Sequence, residues 1–493
     1  MKNESKFSKV LSILLSVVLV VSSFYLLYQV IRLNVLPSKF LFPLTIGVVV
    51  LDAIFILLLV YFSKNVVSKI VCIVLTLFIC VASCMGGYYI SKTQNVLSSI
   101  TNVAKHAKNT VSVIVKESSS IKNKSQLNGV SVGSLRLNEQ GSKKTLKELS
   151  GEGIVLNQTE YDSMTALLEA FYNGDVDSII INESSRSQIL DMEAYSNFDS
   201  NTRVVYQTSY KVKNNDSATS VSDITSKPFN VLISGSDTRG GFDENGRSDV
   251  IMIATVNPKT HTILLTSVPR DFYVTTACDA GDGCMQGALD KITHTGIHGT
   301  NTTKRTVEQL LGIEINYTFK VGFDTVTELV DVLGGVDVYV EPGYATTTSQ
   351  FSVHEGVNHL NAEQALAFAR ERYSYTEGDR QRTKNQQQVL MGIVKEATKP
   401  SVITNYAAIM DTMANTFSTT MSNAEITDLI KYQLNNNPTW KMEQYMVDGT
   451  GDTLMCAELG DAASVMVPDQ STVKMAKDKI NAVLAGKSSE DVK

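Results

Sequence analysis

Three apolar runs fill most of the first ninety residues: Val10–Ile31, Phe40–Phe62 (broken only by Asp52) and Ile70–Ile90. Each reaches the ~20 residues a helix needs to cross a bilayer. A secretory signal would be one short apolar core followed by a cleavage site of small residues. Three closely spaced runs joined by short polar loops read instead as a membrane domain, and buried core helices of a soluble protein are the weaker alternative.

Lys and Arg then set the orientation. The N-terminal tail carries Lys2, Lys6 and Lys9, and the loop between the second and third runs carries Lys64 and Lys69. The loop between the first and second carries Arg32 and Lys39. Positive charge favours the cytoplasmic side, so the N-terminus is expected inside. An odd number of spans puts everything after Tyr89 outside.

The chain has 493 residues and a formal net charge of −6, with no long basic block. Nucleic-acid binders show a basic face or stripe, so that class is set aside. Cys72, Cys80 and Cys84 fall in the third run as small apolar residues. Cys278 and Cys284 bracket the loop "CDAGDGC", where a disulfide suits an external location better than a metal site. Cys456 is left over and expected to be buried.

Beyond the membrane, Ser91–Glu117 reads as a helix leading away from the bilayer, and a short α/β unit comes next. "NTVSVIVK", "SIIIN" and "TRVVYQTSYKV" read as strands. Met164, Leu167, Leu168 and Phe171 fall on one face of a helix. This unit shows no glycine-rich phosphate loop and no convergent carboxylates, so it reads as an accessory domain or spacer. The Ser/Thr-rich stretch 213–228 has linker composition.

A second α/β region opens on "FNVLISGSDTRGG". The apolar strands "RSDVIMIATVN" and "HTILLTSVPRD" alternate with the helices "TTKRTVEQLLG" and "FDTVTELVDVLGG". That order predicts an α/β sandwich around a buried sheet, in which ligands sit beyond the strand ends. Asp237, Arg247, Asp249, Arg270 and Asp271 all lie at such ends. Arg247 and Asp249 are two apart on an extended segment and are expected to share a face. A surface Arg–Asp ion pair is the simpler reading of any one pair, but the pattern recurs at several strand ends. Further on, a helix over Ala362–Arg370 ends on Arg370 and Arg372. A second helix starts near Gly378–Asp379, with Asp379, Arg382 and Gln386 on one face. Arginine suits planar, bidentate recognition of phosphate. The set suggests a polyanionic ligand, with aspartates placed for a hard cation such as Mg²⁺. His294 and His298, four apart, could be metal ligands, though a structural role fits better without a nearby Glu or Cys.

Taken together, "LISGSDTRGG", "GRSDVIMIATVNP", "LTSVPRDFYV", "LDKITHT", "FARERY" and "GDRQRTKNQQQ" resemble the LytR–CpsA–Psr family over residues 227–400. The three-span N-terminus resembles its capsule-associated members. The resemblance implies three transmembrane helices, a small α/β accessory domain and an α/β/α sandwich catalytic domain with a central mixed sheet and an apolar lipid tunnel. The corresponding boundaries are 1–92, 93–226 including the linker, 227–485, and a tail 486–493. It implies a Mg²⁺-dependent cell-wall ligase that transfers a polysaccharide, capsular by this resemblance, from polyprenyl pyrophosphate onto peptidoglycan. Capsule export and tyrosine-kinase machinery are its implied partners. Arg247, Arg270, Arg370, Arg372, Asp379, Arg382 and Gln386 fall at the phosphate-binding positions, and Asp237 and Asp249 at the metal positions. Arg247, Asp249 and Arg270 carry the catalytic role. Two departures stand out. Asn385 replaces an arginine common before the paired glutamines, which implies one cation fewer. Gly299-Thr300 replaces a Gly-Gly pair.

The residue types suit the chemistry without the family, because arginines and Mg²⁺ can hold the charge that develops on a leaving prenyl phosphate. A pyrophosphatase would use the same site with water as acceptor, and a non-catalytic membrane regulator would only bind. The topology has a direct test. External protease on intact protoplasts should cut the segment containing Arg270; a fully protected segment would place it inside and remove a wall substrate from reach.

Overall fold

The computed structural model describes residues 6–62, 65–103, 106–213, 217–236, 244–279, 283–399, 402–413 and 417–492. They form two compact units: residues 1–99, 398–414 and 422–438, and residues 100–397, 415–421 and 439–493.

The first unit holds α1 (Lys6–Leu33), α2 (Ser38–Leu57), whose end continues as a π-helical turn over Leu58–Phe62, and most of α3 (Val66–Val103). All three are long and apolar enough to cross a membrane. Phe24, Phe62 and Phe78 are 69%, 69% and 71% exposed, the outward apolar surface that lipid covers. Ser23 donates to Asp52 at 2.9 Å, giving the carboxylate in the second span a partner inside the bundle. Two helices from far along the chain complete the unit, α12 (Val402–Met413) and α13 (Asn423–Asn436). Lys39 donates to the Asn435 carbonyl at 2.7 Å, Lys431 to Asn34 at 2.8 Å, and Lys92 pairs with Asp411 at 2.7 Å. The turn after α1, the start of α2 and the C-terminal part of α3 therefore all contact these two helices.

The second unit contains two sheets. In the first, β1 (His106–Lys116), β2 (Ser131–Leu135), β3 (Asn157–Tyr161), β4 (Ser178–Asn182) and β5 (Thr202–Lys213) run in the order β3-β2-β4-β1-β5. The helix expected to reach Glu117 stops at Val103. Over "NTVSVIVK", read above as a strand, the chain enters the sheet as β1, where β-branched side chains pack best. Around this sheet lie α4 (Glu139–Gly151), α5 (Met164–Asn173), α6 (Arg186–Asp191) and α7 (Phe198–Asn201). Ser163 caps α5 by accepting from the Ala166 N–H, and Gly174 ends it in the left-handed region at φ 88°. Met164, Leu167, Leu168 and Phe171 are all buried, as their spacing predicts.

The second sheet has six strands. At its centre β6 (Phe229–Ser236), β7 (Ser248–Asn257) and β8 (Thr262–Val268) are antiparallel. After them come the short pair β9 (Tyr273–Thr275) and β10 (Leu289–Lys291), α8 (Thr300–Leu311), β11 (Tyr317–Gly322) and α9 (Phe323–Leu333). A small region comes next: β12 (Val336–Val340), β13 (Thr346–Thr347), β14 (Ser352–Val353) and β15 (Gly356–Leu360), then α10 (Ala362–Arg370) and α11 (Asp379–Ala397). Last come β16 (Phe417–Thr419), β17 (Lys441–Met446), the hairpin β18 (Gly449–Cys456) and β19 (Asp461–Pro468), and α14 (Gln470–Leu484). β11 pairs parallel to β6 and β17 parallel to β8, so the sheet β16-β11-β6-β7-β8-β17 is mixed.

Alternate side chains of these strands feed two layers. Leu232, Ile251, Ile253 and Leu264 pack against α8 and α14. Ile233, Val250 and Met252 face α9, α10 and α11. This is the α/β/α sandwich with a central mixed sheet. Cys278 and Cys284 are joined in a disulfide, and Cys456 is buried. The bridge closes a very short loop, so by loop-closure entropy it stabilises by about 2 kcal/mol. Replacing both cysteines by serine should lower the melting temperature by a few degrees and leave the unit folded; loss of all folding would assign the bridge a larger role.

Candidate functional site

The site begins where the buried sheet runs out. Pro269 ends β8, since it has no N–H to continue the ladder. Phe272 donates its N–H to the Pro269 carbonyl at 3.1 Å and is itself fully buried. This anchored turn leaves Arg270 and Asp271 at the strand end. Alongside it, the β6–β7 register shifts: Gly235 faces Val250 but Ser236 faces Ser248, so Asp249 is the extra residue of a β-bulge. A bulge re-aims a side chain. Here Asp249 accepts from Arg270 at 2.7 Å and from the Thr293 hydroxyl at 3.4 Å.

The bulge corrects the simple two-residue argument. Arg247 and Asp249 do not act as a pair. Asp249 takes Arg270, and Arg247 pairs with Asp191 at the end of α6. Asp271 sits 3.7 Å from Arg270 and 3.3 Å from Lys291.

The helical side closes the cluster. Arg382, in the first turns of α11, pairs with Asp379. Burial, and then the nearby Arg270 and Arg372 cations, hold the Arg382 guanidinium below its ordinary range, with Asp379 working the other way. Burial also disfavours the Arg270 cation, but Asp249, Asp271 and Asp379 outweigh it and raise its pKa. Asp249, Arg270, Asp271, Arg372, Asp379 and Arg382 thus share one electrostatic neighbourhood.

These arginines are not surface groups. Only 13% of the Arg247 side chain, 19% of Arg270 and 15% of Arg382 is exposed. Arg247 and Arg270 lie at strand ends and are nonetheless largely buried. Among the described residues, the Nε groups of Arg247, Arg270 and Arg382 are buried without any hydrogen-bond partner. A buried unsatisfied donor costs about 1–3 kcal/mol, more for a charged group. Such donors at the strand ends and on the facing helix α11 suit an anion that supplies several acceptor oxygens.

The remaining expected positions scatter. Arg370 ends α10 with its side chain exposed. Gln386 lies one turn beyond Arg382 and, with Ile233, Met252, Val326, Val389 and Ile393, lines an apolar cavity of about 80 Å³. That cavity runs between the sheet and α9–α11. The helical face read from Asp379 through Gln386 to Ile393 therefore leads from charges into an apolar space. Asn385 is buried; it donates to the Phe368 carbonyl at 3.0 Å and accepts from Gln381 at 3.0 Å. Its amide joins α10 to α11. Asp237 lies outside the described residues.

His294 and His298 do not converge. His294 bonds Asp290 at 2.7 Å and His298 bonds Glu458 at 2.9 Å. Among the described residues no group of three or more His, Cys, Asp and Glu is arranged for a metal. Mg²⁺ needs only one or two carboxylates when phosphates complete its shell. Asp249 fits that demand: Arg270 and Thr293 both bond its Oδ1, leaving Oδ2 for a cation.

Known proteins resemble this chain in the same region. The LytR_cpsA_psr family matches residues 194–482. The chain belongs to that family. A polyisoprenyl-teichoic acid–peptidoglycan teichoic acid transferase, TagU, from Bacillus cereus is 31% identical over 241 residues, 48% of this chain and 76% of that protein. TagU from Bacillus subtilis is 35% identical over 196 residues, 40% of this chain and 60% of that protein. Among solved structures, Bacillus subtilis TagU is 28% identical with a TM-score of 0.40, covering 52% of this chain and 97% of that one. Protein gbs0355 from Streptococcus agalactiae is 25% identical with a TM-score of 0.45, covering 53% of this chain and 89% of that one. Membership in the LytR_cpsA_psr family rests on the sequence matches.

Lys291, Thr293 and Asp191 join the site although none is among the site residues expected from the sequence. The first two stood inside "LDKITHT", a stretch already marked by the resemblance. Asp191 gave no signal, since its role comes from a contact between two sheets' surroundings. Arg270→Ala should cut turnover by about 10²–10³, the usual cost of one preorganised donor, and should also lower the melting temperature by stranding Asp249. Arg270→Lys should recover the melting temperature more than the activity, because an ammonium lacks the bidentate fork. Full activity in both variants would make the cluster purely structural.

Proposed function

We propose that this protein is a membrane-anchored glycopolymer phosphotransferase acting on the outer face of the membrane. It takes a polymer from polyprenyl pyrophosphate and joins it, with one phosphate, to peptidoglycan. The observation that carries this reading is the set of buried Nε groups without a hydrogen bond on Arg247, Arg270 (which meets Asp271 only at 3.7 Å) and Arg382, beside an apolar cavity. A pyrophosphate offers acceptors to the arginines, and a prenyl chain offers methylenes to the cavity.

In the reaction, an acceptor hydroxyl of peptidoglycan attacks the sugar-side phosphorus. The bond between that phosphorus and the bridging oxygen breaks, and polyprenyl phosphate leaves with the electron pair. The product is a phosphodiester between the polymer and peptidoglycan. Arg270 and Arg382 hold the charge that grows on the leaving phosphate. Asp271, itself steadied by Lys291, or a phosphate oxygen receives the hydroxyl proton. Asp249 would hold Mg²⁺, which supplies charge neutralisation at the pyrophosphate oxygens when bound.

The polymer we infer is a capsular polysaccharide, supported by the three-span N-terminus. Capsule export and tyrosine-kinase machinery are the partners such a polymer would bring. The relatives named above act on teichoic acid, so the polymer is the point at which this chain would differ from them.

Full-length protein in detergent, given a polyprenyl pyrophosphate oligosaccharide and peptidoglycan, should form the phosphodiester only with Mg²⁺ present. Asp249→Ala should lose activity and regain part of it at raised Mg²⁺, while Arg247→Ala should not. Phosphate release without transfer would make it a hydrolase, and binding without turnover a regulator.

A further inference from the structure

A cavity of about 720 Å³ in the second unit lies away from the arginine cluster. It lies between the accessory sheet and the segment that leads into β7. Its walls come from β1 (Lys108, Thr110), the start of α6 (Arg186, Ser187), β5 (Gln207, Ser209) and the segment Glu244–Gly246. Gly246 immediately precedes Arg247, and Asp191 on α6 holds that arginine. The cleft therefore ends where the phosphate cluster begins.

Its chemistry is unlike that of the cluster. The walls carry three cations, Lys108, Arg186 and Arg203, against three carboxylates, Glu183, Asp199 and Glu244. Every cation is already paired. Lys108 meets Glu244 at 3.2 Å; Arg186 meets Glu183 at 2.6 Å and Asp199 at 2.9 Å; Arg203 meets Glu117 at 2.8 Å. A second phosphate-rich ligand would find no surplus positive charge. A lipid chain would find a wall of hydroxyls, amides and ions. What remains is a ligand that both donates and accepts hydrogen bonds and carries little charge. Hydroxyls and amides on the walls can meet it in either role. The Ser184 hydroxyl on the wall is buried with no partner, a polar atom that such a ligand would satisfy.

We propose that this cleft is a glycan subsite: it binds sugar units of a polysaccharide chain and feeds them to the phosphate cluster at Arg247. The accessory sheet is then part of the substrate-binding surface. This rests on the phosphotransferase reading for the identity of the chain, because both donor polymer and peptidoglycan strand present rows of sugar hydroxyls.

The test uses full-length protein in detergent and the double variant Ser187→Leu/Ser209→Leu. Both positions are on the cleft wall, outside the hydrophobic cores, and neither touches the cluster. One arm compares polyprenyl pyrophosphate carrying an oligosaccharide with bare polyprenyl pyrophosphate. The variant should raise KM for the first about tenfold, equivalent to ~1.4 kcal/mol, and leave phosphate release from the second unchanged. The other arm titrates two lipid-free probes by calorimetry: glycan freed by mild acid from the source cell's lipid-linked polymer, and a GlcNAc–MurNAc tetrasaccharide. Whichever binds wild type and not the variant identifies the source as donor or acceptor. Equal loss on both lipid substrates, or binding of neither glycan, overturns the subsite. If wild type neither transfers nor hydrolyses, the phosphotransferase reading fails, while the calorimetry still decides the cleft.

Discussion

The contact on which the site depends is the cross-strand bond from Arg270 to Asp249. It exists because a proline-ended strand and a bulged strand finish side by side. Without the bulge, Asp249 would keep to the strand's alternation and not be re-aimed toward the next strand. Without the anchored Pro269–Phe272 turn, Arg270 would extend into solvent. The pair holds a cation deep enough that its Nε–H is buried without a hydrogen bond. A buried ion pair is weak evidence for stability, and this one leaves the Arg270 Nε without a hydrogen bond. The arrangement makes better sense as a site built for an anion.

The same sheet end joins three different environments. Toward α9–α11 the helical face of α11 changes from Asp379 and Arg382 to Val389 and Ile393, so charge gives way to an apolar cavity. Toward the accessory sheet, Arg247 meets Asp191, and a polar cleft opens beyond Gly246. A lipid-linked, pyrophosphate-bearing polysaccharide has the same three parts in the same order. The accessory sheet, which by sequence belongs to an accessory domain or spacer, supplies one wall of that polar cleft.

Much of the fold is legible from local pattern. The three spans announce themselves by length, α10 runs over Ala362–Arg370 and α11 starts at Asp379 as the sequence places them, and the buried face of α5 follows its spacing. Local pattern is ambiguous where two signals meet. A helix read to Glu117 overlaps a strand read over 109–116, and the strand holds because β1 pairs with both β4 and β5. Asn385 looked like a missing phosphate cation, yet its amide is spent on the Phe368 carbonyl. A motif fixes which residue stands at a position, and packing fixes what its side chain touches.

By itself the sequence determined the membrane helices, the α/β character of the chain beyond them, and the presence of strand-end arginines and aspartates. These come from hydropathy, period and residue chemistry, all of which act over a few residues. Tertiary structure alone decided the partners: Asp249 with Arg270, Arg247 with Asp191, Lys291 with Asp271. It also decided that a polar cleft stands beside the cluster. Those contacts join residues 20 to 56 positions apart, through a bulge, a turn and the packing of two sheets. None of these leaves a period in the chain, because each is set by the three-dimensional register of one element against another.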